Sequence, residues 1–372
     1  LLKMMVIPLV VTSLFVGITN ISNPVEMGPM GLRIATYFLF SSACAIGVGL
    51  LAVNLIQPGV GADLEIVEQA VPQISGETSF WKIVSHVIPA NPVEALAKTD
   101  MLGIIFFTMI FAYFTLRTGG EDRDRIVRVA KSLHRITMRM VNAIITLAPY
   151  GIFCLITNLI ITTGFSAFVP LSWYLLTVTI ALTAHFFLLL PSLVFLLTRS
   201  NPYKLMRAMS PALTTAFSTA SSAATLPLTI ECATEVAKMD NRVASIALPI
   251  GATLNMDGTA LYEGVTVLFI AQVLGIDLSL WQQFVVFATA LIVSIGAAGI
   301  PHAGLIMMVI VLEAVGLPLQ ATALIWGIDR FVDMMRTAVN VWSDIVGTRI
   351  VDHFEKPIFA AANSHSKMDI EK

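Results

Sequence analysis

The stretch ATALIWGIDRFVDMMRTAVNVWSDIVGTRI, residues 321–350, is apolar over most of its length, yet it carries Asp329, Asp333, Arg336, Asn340 and Asp344. A bilayer-spanning helix needs about 20 residues, and ionisable groups at membrane depth are costly, so they mark function. At roughly 100° per residue these five side chains fall within about one third of a helix circumference, while Phe331, Met335 and Trp342 point elsewhere. One face is wet and charged, and the other can meet lipid or protein. A purely structural ion pair would need one carboxylate beside Arg336, not four acids and amides on the same stripe.

The rest of the chain agrees with a membrane setting. Of 372 residues, 56% are hydrophobic and only 12% charged, with mean hydropathy +0.83; an all-α polytopic membrane protein is expected. A net charge of -2 and the lack of a basic stripe with interleaved aromatics exclude nucleic acid as a partner. Cys44, Cys154 and Cys232 lie in apolar stretches and read as small buried hydrophobes. His86, His134, His185, His302, His353 and His365 show no ligand spacing and read as loop or interface residues. The chain begins at Leu1 and enters the apolar stretch 4–18 without an initiator Met or charged leader, so an N-terminally truncated sequence is expected.

Basic residues mark cytoplasmic loops. Arg33 precedes a span at 34–56, and residues 57–100 carry acids, Pro and Gly as an outer loop would. A span at 101–116 returns to the basic run RTGGEDRDRIVRVAKSLHR, 117–135, read as a cytoplasmic loop. Crossings at 140–163 and 171–197 bring the chain back inside at Arg199, Lys204 and Arg207. The next apolar segment, 209–236, has basic residues on both flanks, so it enters and leaves by one face; its middle, TAFSTASSAATLPLT, suits a non-helical tip lining a polar cavity. After an outward crossing at 244–271, the segment 281–315, broken at IGAAGIPHAG, makes a second hairpin from the opposite face. Two opposed re-entrant helical hairpins are the inverted-repeat logic of secondary transporters, with the cargo near the midplane.

Within the outward crossing, GATLNMDGTALYEG is poorly suited to uninterrupted helix. Unwinding would free carbonyls that, with the oxygens of Asn255, Asp257, Asn340 and Asp344, make a hard cage suited to Na+. Intramembrane Asp257, Glu263, Asp329, Asp333 and Asp344 outnumber Arg330 and Arg336, so cations must accompany an acidic cargo. Arg336 can grip a carboxylate through two N–H bonds, and Asp333 can receive an ammonium group. Those are the two ends of an acidic amino acid.

STASSAATLP, NMDGTALYE, AAGIPHAG and DRFVDMMRTAVNVWSD together resemble the dicarboxylate/amino acid:cation symporter family, the glutamate and aspartate transporters with their neutral amino acid relatives. The resemblance covers nearly the whole chain. It implies a homotrimeric, multi-pass protein of the cell membrane (a bacterial inner membrane or a plasma membrane), with an inverted-repeat elevator transport domain moving on a scaffold. Residues 1–57 would hold family helices 2 and 3, 58–100 an extracellular loop region, and 101–170 scaffold helices 4 and 5. Residues 171–205 would hold helix 6, 206–350 the transport core of two hairpins and helices 7 and 8, and 351–372 a cytoplasmic tail. The family's first helix has no counterpart.

The resemblance also implies that Ser221, Ser222, Thr259, Ile300, Asp333, Arg336, Thr337 and Asn340 contact the amino acid. Gly251, Asn255, Asn340 and Asp344 resemble one Na+ site, Thr253, Ser294, Ile295 and Ala297 a second, and Ser41, Ser42, Asn255 and Asp257 a third. Glu263 resembles the carboxylate linked to proton counter-transport, and Asp329 a cation-coupling residue. Ala220 and Met334 stand where relatives place an extra arginine, which argues against potassium counter-transport; Arg330, which follows Asp329, is a candidate substitute for that arginine. The expected function is sodium-coupled symport of L-glutamate or L-aspartate, with no cofactor. A C4-dicarboxylate carrier of the same fold and an anion channel are the alternatives; no nucleophile with an oriented base suggests an enzyme.

Overall fold

A computed structural model describes residues 2–19, 24–62, 88–98, 101–163, 168–294, 303–318 and 322–370. Helices account for the architecture, and no strand occurs among the described residues. They are α1 (Leu2–Thr19), α2 (Pro24–Ile56), α3 (Pro92–Lys98), α4 (Met101–Thr118), α5 (Gly120–Ile145), α6 (Ala148–Thr163), α7 (Phe168–Ala184), α8 (Leu190–Thr198) and α9 (Pro202–Ala208). There follow α10 (Ser210–Thr219), α11 (Ser222–Glu231), α12 (Asn241–Leu254), α13 (Asp257–Val273), α14 (Leu280–Ser294), α15 (Ala303–Ala314), α16 (Ala323–Trp326) and α17 (Asp329–Ile370).

Two continuous stretches, Gly28–Ile56 and Phe168–Thr198, are long and apolar enough to cross a membrane. Large apolar side chains cover the outside: Leu55, Phe153 and Leu196 are each at least 70% exposed, as lipid-facing residues are and core residues are not. The basic run at 117–135, expected as a loop, is instead helix: α5 carries Arg125 and Arg128 on its solvent side while Val141 packs against α1. Its charges are compatible with helix because residues on separate faces do not compete for one environment.

At the centre lies α13, buried from Asp257 to Ala271 on every side. Such a helix can only be a core element, and it packs against α2, α7, α14, α15 and α17. A second apolar cluster ties α8, α10, α12 and α17 together through Val194, Ala212, Leu248 and Trp342. A third joins α1, α4 and α5 through Leu9, Leu14, Ile104, Ile105 and Val141.

Three interruptions shape the body. Helices α10 and α11 meet at Ala220, in the left-handed region at φ 52, and Ser221 caps α11 by accepting a hydrogen bond from the Ala224 amide. The serine-rich tip expected to be non-helical over 215–229 is therefore helical except at this turn. Helices α14 and α15 pack on each other, while the tip 295–302 lies outside the described residues.

Between α7 and α8 the chain makes a π-helical turn, His185–Leu189. Leu190 donates to the His185 carbonyl, and Pro191 has no N–H to give, so the carbonyls of Phe186 and Phe187 lose their usual helical partners. Trp342 Nε1 donates to the first at 3.1 Å and Tyr203 Oη to the second at 3.2 Å. Trp342 thus faces protein, not lipid, and fastens α17 to the turn.

The third interruption falls at NMD, as the sequence suggests: Asn255 and Met256 leave helical geometry at φ -114, ψ 99 and φ -122, ψ 56. Helix α17 departs from its expected span of 321–350. It starts at Asp329 and runs through the tail region to Ile370.

Candidate functional site

The start of α17 brings its charged stripe against the α12–α13 break. Arg336 is 1% exposed. Its Nη2 lies 2.6 Å from Asp333 Oδ1 and 3.3 Å from Asp329 Oδ1, and its Cζ sits 4.0 Å from the centroid of the Tyr262 ring. Tyr262 in turn donates to Asp329 Oδ1 at 3.1 Å. Arg336 Nε and Nη1 have no hydrogen-bond partner among the described residues, so a buried guanidinium keeps donors to offer. Gly304 of α15 and Gly258 of α13 crowd this arginine; a Cβ on Gly304 would lie 2.2 Å from Nη1, and one on Gly258 would lie 2.5 Å from the Arg336 carbonyl oxygen.

One turn further along α17, Asn340 accepts a hydrogen bond from the Gly258 amide at 2.7 Å and its Nδ2 reaches Thr259 Oγ1 at 3.3 Å. The first turn of α13 lacks a local side-chain cap, and a side chain from another helix satisfies its orphan donor instead. Thr259 and Thr337 are both 5% exposed beside it.

Below this lies a cluster of oxygens. Ser42 Oγ donates to Asp257 Oδ1 at 2.7 Å and Ser41 Oγ does so at 3.2 Å, with both hydroxyls 3.5 Å from Asn255 Oδ1. Asn255 Nδ2 donates to Asp344 Oδ1 at 2.9 Å. Gly251 abuts the same carboxylate, since a Cβ there would fall 2.4 Å from Asp344 Oδ1. Gly251, Asn255 and Asp344 of one expected set and Ser41, Ser42, Asn255 and Asp257 of another thus converge from α2, α12, α13 and α17, while Asn340 of the first set is engaged with Gly258 and Thr259.

Other expected residues are placed differently. Thr253 Oγ1 bonds to the carbonyls of Pro249 and Ile250 in its own helix, and Ser294 Oγ to that of Leu291. Ile295, Ala297 and Ile300 lie outside the described residues. Ser221 and Ser222 sit at the α10–α11 turn, and both those helices pack on α17. Glu263 is fully buried in α13 with neither carboxylate oxygen hydrogen-bonded among the described residues. Arg330 is exposed and takes no part.

Two contributors escaped the sequence. Ser343 Oγ donates to Asp257 Oδ2 at 2.7 Å and accepts from Asn255 Nδ2 at 3.0 Å; its spacing of three from Asn340 put it on the charged stripe, so periodicity could have found it. His185, read as a loop or interface residue, is instead fully buried on the π-helical turn, with Nε2 3.1 Å from Asp257 Oδ2. No local pattern signalled it.

Apolar helices closing over a buried arginine, its carboxylates and a dense oxygen cluster define a polytopic membrane transport protein. A profile of the Sodium:dicarboxylate symporter family matches residues 1–354. The chain is 34% identical over 421 residues to excitatory amino acid transporter 3 of Mus musculus, covering 100% of this chain and 80% of that protein. An excitatory amino acid transporter of Caenorhabditis elegans is 33% identical over 414 residues, covering 99% and 81%. Excitatory amino acid transporter 1 of Ambystoma tigrinum is 34% identical over 412 residues, covering 96% and 76%. The chain belongs to the sodium:dicarboxylate symporter family.

Proposed function

We propose that the protein is a sodium-coupled symporter of acidic amino acids, L-glutamate or L-aspartate. The observation that carries this is Arg336, buried and stacked on Tyr262, with donor nitrogens left over and Asp333 2.6 Å away. A cargo carboxylate would take up the spare guanidinium donors, and the ammonium group would take Asp333 as its partner, replacing the internal pair. Relatives named as excitatory amino acid transporters support the same cargo.

Na+ ions enter as cargo. The oxygens of Asp257, Asn255, Ser41 and Ser42 would hold one ion, and those of Asp344, Asn255, Asn340 and the Gly251 carbonyl another. The remaining set, Thr253, Ser294, Ile295 and Ala297, would hold its ion largely through carbonyls. Ser221, Ser222, Thr259, Ile300, Thr337 and Asn340 would line the cargo. Glu263 is the proton carrier of this reading, and Asp329 a coupling carboxylate. Two hairpins entering from opposite faces, α10–α11 and α14–α15, would form gates in a transport domain of α2 and α7–α17. That domain would move as an elevator against a homotrimeric scaffold of α1 and α4–α6.

The test is uptake of labelled L-aspartate and L-glutamate into liposomes with and without an inward Na+ gradient. Gradient-dependent, saturable accumulation blocked by unlabelled aspartate is expected. The second reading, a C4-dicarboxylate carrier, is favoured by the family's name; inhibition by succinate but not by aspartate would establish it and remove the first.

A further inference from the structure

At the end of the body away from Arg336, a cavity of about 520 Å³ opens between the α8–α9 connection, the chain after α11 and the side of α17. Ser200, Asn201, Lys204, Val236, Lys238 and Arg349 line it, and no acid does. Asp352, the buried carboxylate beside Arg349, is already engaged: it accepts from the Asp240 amide at 2.9 Å and pairs with Lys356 at 3.0 Å and Arg349 at 3.4 Å. Asp240 is likewise taken by Arg242, 2.7 Å away. Lys204 and Lys238 are exposed and have no ion pair among the described residues. The cavity is therefore a cationic recess in which Arg349 is neutralised by Asp352 while Lys204 and Lys238 have no ion-pair partner among the described residues.

Its position decides what could fill it. The 168–198 span ends two residues before Ser200, at the side that the basic residues mark as cytoplasmic, so the recess sits at headgroup level. An apolar flank is offered by Val236 of the lining, 56% exposed, and by Leu196 and Tyr203 on the helices either side of the α8–α9 connection, 70% and 56% exposed. A soluble anion has no use for that flank, whereas a lipid with its phosphate in the recess would lay acyl chains along it. We propose that this recess binds the phosphate-bearing headgroup of an anionic phospholipid of the cytoplasmic leaflet. Basic pockets between membrane helices on that side are built for such headgroups. The proposal stands whatever the cargo of the Arg336 site.

The experiment places the full chain in nanodiscs of phosphatidylcholine and titrates short-chain phosphatidic acid, reading retained lipid by native mass spectrometry. Saturable retention is expected in the wild type, roughly tenfold weaker in K204A/K238A and restored in K204R/K238R. Millimolar inorganic phosphate should leave it unchanged. Equal retention by wild type and K204A/K238A overturns the proposal, as does displacement of the lipid by inorganic phosphate, which would assign the recess to a soluble anion.

Discussion

Gly304 of α15 lies so close to Arg336 of α17 that a single methyl group on it would sit 2.2 Å from Nη1. The end of an arginine is ordinarily free to move aside. Here Asp333, Asp329 and the Tyr262 ring hold it from three directions. Gly304→Ala should displace the guanidinium without unfolding the body, raising KM for aspartate about tenfold or more, while thermal unfolding in detergent stays close to wild type. An unchanged KM would show that the guanidinium can retreat at no cost to cargo binding.

Removal of Arg336 has a sharper consequence. Arg336→Cys loses the charge-assisted contact, worth about 1.5–3 kcal/mol, so affinity for acidic cargo should fall by roughly 10–100-fold. Uptake of neutral amino acids should rise, because the pocket then lacks its cation but keeps Asp333. Parallel uptake of labelled aspartate and serine reads both effects; aspartate transport equal to wild type would remove Arg336 from the site.

His185 should act through Asp257. With Nε2 3.1 Å from Oδ2 and both side chains fully buried, the imidazole orients a carboxylate that also receives Ser42 and Ser343. Partners of this kind typically change ion affinity by about 10–100-fold when lost. His185→Phe should raise the Na+ concentration needed for half-maximal uptake, and His185→Gln, which keeps an N–H donor, should recover part of the loss. Equal Na+ dependence in wild type and His185→Phe would count against the positioning role.

Glu263→Gln conserves shape and removes the ionisable group from a position where neither oxygen has a partner among the described residues. Wild-type transport is expected to vary with pH across the neutral range, and transport by this variant should lose that dependence. A pH profile parallel to the wild type's would assign proton coupling elsewhere.

Asp240 caps α12, accepting from the Arg242 amide at 2.8 Å and from Nη2 and Nε of its guanidinium at 2.7 and 3.0 Å. The Arg242 side-chain bond holds its carboxyl below the usual range. Its contribution to stability is therefore complete above the ordinary carboxylate pKa and is lost as pH falls through the lowered one. Asp240→Ala should cost about 0.5–2 kcal/mol near neutral pH through the lost cap, and the gap from wild type should close in acid, as thermal unfolding across pH would record.

Much of the site was legible because helical periodicity is local. Asp333, Arg336, Asn340 and Asp344 needed only about 3.6 residues per turn to share a stripe, and Ser343 lay on it unread. At 117–135 charge density suggests a loop, yet from Gly120 onward the charges sit on separate faces of a helix. Arg330, which falls among the intramembrane charges by position, is exposed because it lies off the buried face of α17.

From its amino-acid order alone, the protein is a polytopic membrane chain with a break at Asn255–Met256 and a charged face on its last long helix, since burial cost and helix period depend only on residue type and spacing. Tertiary structure alone decided that His185 meets Asp257 across 72 positions and that Tyr262 reaches Asp329 across 67. It also decided that Gly304 closes on Arg336. Those contacts depend on how separate helices pack, which residue spacing along one helix does not encode, because close packing selects among the arrangements of whole helix faces.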